Sequence, residues 1–347
     1  MSSVAVLYKK KNTSEPMGVT NLSMDLHSNY WKIPLGRGKY NRFIDFGIKI
    51  YEAKDLESIL LYVPFKDNDL KSRLSDLGEI ITEKNFLSVL FNDDYEIHSD
   101  SITPAYKLAK NISNENKTFW IYELKASNFA VHTLPHGSLV EIKILTHPTI
   151  VKDVPVSTAS ESDNYSLYVR FRINNLREGE FNSLESVSNE AFQSFFSKSE
   201  MVNIHVNSIR ELDEEDYQHL RAKYQFLNLN KCHFYFVGSS EEETVQGITT
   251  YKDCILLDIA KWKKYISTNN PKDRNCIAYH WTPEVNANHC HVFVKTVFSS
   301  TNGWKICLYI LLMVILGATS SIIANNIPTI RESVSVLNSN DSTVNNN

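Results

Sequence analysis

The stretch RFIDFGIKIY (Arg42–Tyr51) decides how the first half of this chain is read. Ile44, Phe46, Ile48 and Ile50 alternate with Asp45, Gly47 and Lys49. A period of two sends successive side chains to opposite faces of a β-strand, one face buried and one wet. SILLYVPF (58–65) follows and is apolar on both faces, the pattern of an interior strand. FWIYEL (119–124) and LVEIKIL (139–145) add two further strands, the second again alternating. Thr82, ahead of EKNFLSVLF, is expected to N-cap a short helix. Residues 29–150 are therefore expected to form a β-rich, sandwich-like domain, preceded by a flexible N-terminal segment, 1–28.

Polar VKDVPVSTASESDN (Val151–Asn164) suggests a linker, 151–165, between two domains. Beyond it, YSLYVRFRI (165–173), MVNIHVNSI (201–209) and CHFYFV (232–237) have strand character. LDEEDYQHLRAKY (212–224) is expected to be a helix with Asp213 as N-cap and acids in its first turn, where they oppose the helix dipole. DIAKWKKYI (258–266) predicts a second helix, with Asp258 at its start. Residues 166–299 thus read as a mixed α/β domain, and the chain as α+β.

The strongest single signal lies near the C-terminus. From Ile306 to Ala324 no charge, Pro, Asn or Gln interrupts the sequence. About 20 such residues span the ~30 Å hydrocarbon core of a bilayer, and Trp304 and Lys305 suit the interface. The expected membrane helix is 304–325, followed by a disordered polar tail, 326–347. Lys261, Lys263, Lys264, Lys272, Arg274, Lys295 and Lys305 precede the span, whereas only Arg331 follows it. The positive-inside rule then leaves the N-terminal bulk in the cytoplasm. Gly317 and Ser321, four apart, are a small-residue pair on which two such helices could pack.

Composition narrows the function classes. At 347 residues with 42% hydrophobic and 22% charged side chains the chain is globular. A net charge of −4 offers no electrostatic grip on nucleic acid. Five cysteines without a CxxC fit neither a disulfide scaffold nor a zinc ribbon. The opening MSSVAVLYKKK has too short an apolar run for a secretory leader.

Candidate sites are few. Arg37, Lys39 and Arg42, around Gly36 and Gly38, form a basic loop that lacks Walker spacing but could meet an anion. Arg170 and Arg172 alternate with apolar residues, so both are expected on a wet face, available to a carboxylate or phosphate. CIAYHW (276–281) and HCHVFVKTVF (289–298) resemble the arms of a hairpin. In one register His280, His289 and His291 share its outer face, a three-imidazole set that zinc accepts, with Cys290 turned to the core. No nucleophile elbow, HExxH or deaminase signature occurs. The expected function is a tail-anchored binding or signalling module, a receptor, adaptor or effector with an unidentified protein partner; by analogy of plan alone, defence components share it. The alternatives are a membrane-tethered metal-dependent hydrolase using the histidines, and a scaffold that oligomerises through Gly317 and Ser321.

Overall fold

The computed structural model describes residues 2–11, 22–36, 39–83, 86–91, 93–99, 103, 105–114, 117–146, 165–186, 197–245, 251–266, 275–299 and 303–341. Arg42–Tyr51 behaves as its alternation requires. Lys39–Ile50 is a strand whose Ile44, Phe46, Ile48 and Ile50 enter the main core. That core lies between two sheets. One has nine strands, with the order Glu243–Val245, Cys290–Ser299, Ser197–Val206, Ser2–Lys10, Leu56–Val63, Ser138–Lys143, Phe129–Thr133 along its main path. The other has ten, with the order Asp253–Leu257, Cys276–Trp281, Asn228–Ser239, Ser23–Gly36, Lys39–Ile50, Leu167–Ile173, Phe119–Tyr122, Tyr106–Asn111, Tyr95–Ser99.

Two sequence expectations are corrected by these pairings. Within 1–28 the described residues, 2–11 and 22–28, are not a loose leader: Ser2–Lys10 sits mid-sheet, parallel to Ser197–Val206 and antiparallel to Leu56–Val63. Val4 to Leu7 are completely buried. An apolar run too short to be a signal sequence has the length of a strand covered on both faces. Nor does the chain divide between 29–150 and 166–299. Leu167–Ile173 pairs with Lys39–Ile50 from Leu167 opposite Ile50 to Ile173 opposite Ile44. Asn228–Ser239 runs parallel beside Ser23–Gly36. Residues 1–186 and 198–298 form one compact unit, because each sheet draws strands from both halves. The expected linker, 151–165, lies almost entirely outside the described residues.

Helices cover the outer faces. On the nine-stranded sheet, Ala5, Leu7, Leu60 and Tyr62 pack with Leu220 of the Glu214–Lys223 helix. Asp213 caps that helix as its sequence predicts, accepting from the amides of Glu215 (3.0 Å) and Asp216 (3.3 Å). On the ten-stranded sheet, Trp31, Ile33, Phe43 and Tyr168 pack against Tyr265 and Ile266 of the Ile259–Ile266 helix and Leu87 of Phe86–Phe91. Thr82 does not start the latter helix. Its hydroxyl donates back to the Glu79 carbonyl at 2.8 Å and closes the preceding turn, Gly78–Ile81. Double coverage explains why SILLYVPF is apolar on both sides.

The C-terminal segment is a unit by itself, and its helix runs from Gly303 to Asp341. Within it Ile306–Asn325 has a mean hydropathy of 2.5 and no buried share, long and apolar enough to cross a membrane. The tail after 325 does not lose structure at once; the helix carries on to Asp341. Extending an existing helix avoids the nucleation cost that an isolated polar segment would meet.

Deleting residues 1–11 removes a central strand. The full-length protein so shortened is expected to lose its cooperative thermal transition, followed by near-UV circular dichroism; an unchanged melting curve is the outcome of a true tail.

Candidate functional site

The outer face of the ten-stranded sheet carries rows of polar side chains in register. One row runs Asp253, His280, Tyr235, Asn29, Asp45, Arg172 across six strands. The adjacent row is His233, His27, Gly47, Arg170. Residues paired across antiparallel strands share a face, so strand order alone assembles groups more than 200 positions apart in sequence.

Asp45 is the centre. Completely buried, its carboxylate accepts from Arg172 Nε (2.6 Å) and Nη2 (3.1 Å), Trp31 Nε1 (2.9 Å) and Tyr265 Oη (2.8 Å). Arg172 continues to the Tyr265 carbonyl at 2.9 Å, and its guanidinium lies 3.9 Å over the Phe43 ring. Arg170 donates to the hydroxyls of Tyr265 (2.8 Å) and Tyr168 (2.9 Å). With the Asn29 amide oxygen turned toward it, Nη2 has a third acceptor at 3.0 Å. Gly47 permits this convergence. A Cβ there would stand 2.1 Å from Tyr168 Oη and 2.8 Å from Arg170 Nη1.

The expectation that Arg170 and Arg172 face water is therefore half corrected. They share the outward face, but the Ile259–Ile266 helix closes over it, and both are buried. They fasten a helix to a sheet. Arg42 is also internal. It grips Glu200 from the other sheet with two bonds, 2.7 and 3.0 Å, while Lys32 bridges Glu200 and Glu242 at 2.8 Å each. Burial opposes ionisation of Glu200, but the Arg42 and Lys32 cations outweigh it and bring its pKa down to about 2. Lys39 is exposed at the start of its strand, and Arg37 lies outside the described residues. The basic cluster of the sequence is thus not one site.

The three-histidine set also comes apart. Cys276–Trp281 belongs to the ten-stranded sheet and Cys290–Ser299 to the nine-stranded one, so they are not the arms of one hairpin. The eight residues between them span from one sheet to the other, ending in a tight turn with Ala287 and Asn288 at positive φ. His291 instead donates from Nε2 to Asn203 Oδ1 at 2.6 Å and stacks on His205, with ring centroids 4.0 Å apart. His289 sits at the turn, paired with Asn286. Among the described residues no group of three His, Cys, Asp or Glu is arranged to hold a metal ion. Cys290 is in the core, as its strand face predicts.

A different histidine row takes shape. Asp253 lies 3.5 Å from His280 Nδ1, and His280 Nε2 lies 3.2 Å from His233 Nδ1. The His27 ring follows, edge-on at 5.0 Å from His233. This series ends against Phe91, 5.0 Å from His27, rather than on a nucleophile. Burial lowers the pKa of His233 and of His280, although Asp253 opposes the shift at His280. At His27 burial acts first and the neighbouring His233, Arg170 and Lys49 add to it, leaving the imidazole well below its usual range. All three rings are neutral at pH 7. Sequence reading missed this row because His27 and His233 each look isolated on their own strands. Only parallel pairing of Ser23–Gly36 with Asn228–Ser239 brings them together.

Compared with known proteins, the chain matches no family model and no curated sequence.

Two outcomes follow from this geometry. Asp45→Ala leaves two buried guanidinium groups without their carboxylate, and is expected to cost about 3–5 kcal/mol in urea denaturation. The histidine row sets a pH dependence. Each ring binds a proton less readily folded than unfolded, so the unfolded state holds more protons below about pH 6.5. Stability is expected to be full above that pH and to fall as acid is added, with His27→Gln reducing the slope of unfolding free energy between pH 7 and 5.

Proposed function

We propose that this chain is a tail-anchored, single-pass membrane protein whose β sandwich faces the cytoplasm and works there as a binding or signalling module. One observation carries the anchor: every side chain described in Ile306–Asn325 is exposed or nearly so, over a length of about 30 Å. A twenty-residue span of mean hydropathy 2.5 with no share buried needs lipid around it. The basic excess before the helix and its near absence afterwards support the cytoplasmic orientation.

Binding is favoured over catalysis by how the charges are disposed. Asp45 is engaged with Arg172 beneath the covering helix, and Glu200 with Arg42 and Lys32 between the sheets. The histidines that a metal-dependent hydrolase requires lie in different sheets. A module that recognises a protein through its surface needs no nucleophile, and the titratable row Asp253, His280, His233, His27 ends against Phe91 rather than on one.

Insertion into microsomes tests the reading. The chain is expected to resist alkaline carbonate, and an engineered Asn-x-Thr acceptor after Asn347 to be glycosylated while one before Ser2 is not. Release by carbonate overturns the anchor, and glycosylation of the N-terminal acceptor overturns the orientation.

A further inference from the structure

Among the described residues four strands end the main paths of the two sheets, and three of them are protected against pairing with another chain. Glu243–Val245 has only three residues. Tyr95–Ser99 exposes Glu96, His98 and Ser99, with Glu96 and His98 paired at 3.7 Å. Phe129–Thr133 ends in exposed His132 and Thr133, and His132 lies 3.1 Å from Glu141. Short length, charge and polarity are the usual guards of a sheet edge.

The fourth edge, Asp253–Leu257, carries one charge, Asp253, held 3.5 Å from His280, but differs in presenting large apolar side chains to solvent. Its first four residues are exposed, with Ile255 at 57% and Leu256 at 61%. Their side chains point to opposite faces, so the strand offers apolar surface on both sides as well as a backbone edge that no described strand covers. Tyr251, beside it, is 49% exposed and leans on Tyr279 and Trp281 at 5.5 and 6.4 Å. An edge of this kind is a template for another strand.

We propose that the occupant is a second copy of the same strand, paired antiparallel about a two-fold axis through Ile255. A two-fold axis matches residue i with residue 510 − i, so the sequence YKDCILLD (251–258) selects the register by itself. Centred on Ile255, Cys254 meets Leu256, Asp253 meets Leu257, and Lys252 meets Asp258 of the other copy, twice. Shifting the centre to the bond between Ile255 and Leu256 sets Asp253 against Asp258, like charges directly opposed. Centring on Leu256 places Cys254 against Asp258, and centring on Cys254 places Lys252 against Leu256. Of these registers only the one centred on Ile255 opposes Lys252 to Asp258 while setting Ile255 on itself and Cys254 on Leu256; its Asp253 faces Leu257. Both charged residues are exposed at the strand's ends. The interface is distinct from the membrane-helix pair Gly317 and Ser321, and it does not depend on the chain's orientation in the bilayer.

A zero-length carbodiimide reads this contact on the full chain in mild detergent. Along one strand Lys252 and Asp258 are roughly 20 Å apart at the usual rise, so an amide between them can form only between two molecules. The expected result is a covalent dimer whose digest contains the Lys252–Asp258 link. Lys252→Glu should reduce the yield at least fivefold with an unchanged thermal melt, and adding Asp258→Lys should restore it through the reciprocal link. Ile255→Asp should abolish the dimer, which keeps the test decisive if the Asp258 variant does not fold. Gly317→Leu should leave the link intact. A monomer at every concentration, a dimer linked only elsewhere, or one lost with Gly317→Leu but not Ile255→Asp, overturns the proposal.

Discussion

A single buried carboxylate accounts for how the outer layer of the ten-stranded sheet is assembled. Asp45 lies in the middle of an apolar strand, Arg172 on the next, and Tyr265 on a helix 220 residues further along. A lone charge in that position would be expelled or neutralised, since burying an ion costs several kcal/mol. Here the cost is offset because four donors converge on it from three elements. The consequence is positional. The Ile259–Ile266 helix can dock in one place only, where its Tyr265 hydroxyl meets Asp45 and Arg170 and its last carbonyls meet Arg172. Apolar contacts such as Trp31 with Tyr265 add area but little direction.

The strands were legible because burial obeys a period of two. Arg42–Tyr51, 58–65, 165–173 and 289–298 all occur where alternation or a short apolar run places them. Connectivity was not legible. Alternation says that Ile44 and Val169 face a core but not that they face the same one. The polar stretch after His147 looked like a domain boundary, yet its ends lie in strands of one unit. The histidines failed for the same reason. A loop of eight residues reads equally well as a hairpin turn or as a crossing between sheets, and periodicity within each strand cannot distinguish them. Charged residues within apolar strands were the unused signal: Lys32 in YWKIP, Asp45 in FIDFGI and Glu200 beside MVNIHV mark where two elements must meet.

Placing the charges inside has an effect on the outside. Residues that looked like an anion site, Arg42, Arg170 and Arg172, are held by Glu200, Asp45 and tyrosine hydroxyls. Their donors point inward and the surface loses them as ligands. Large apolar side chains remain exposed in two places above all, along Ile306–Asn325 and around Tyr251–Leu256. These patches differ in kind. The first is a continuous helical cylinder whose backbone ladder runs within one segment, which suits lipid. The second ends its sheet among the described strands, and the amides and carbonyls of such an edge ask for a strand, which lipid cannot supply.

That difference limits what each surface can recognise. Hydrocarbon asks only for length and apolarity, so the membrane helix tolerates nearly any order of Leu, Ile and Val. A sheet edge asks for register, because a slip of one residue exchanges its faces. Lys252 and Asp258, placed three residues either side of Ile255, satisfy that demand with the fewest charges possible: one of each sign, equidistant from the centre, becomes complementary to its own copy after a half-turn. The same spacing would be unremarked in a solvent-facing loop. Its meaning comes from the strand that holds the two charges apart and from the exposed apolar pair, Ile255 and Leu256, between them.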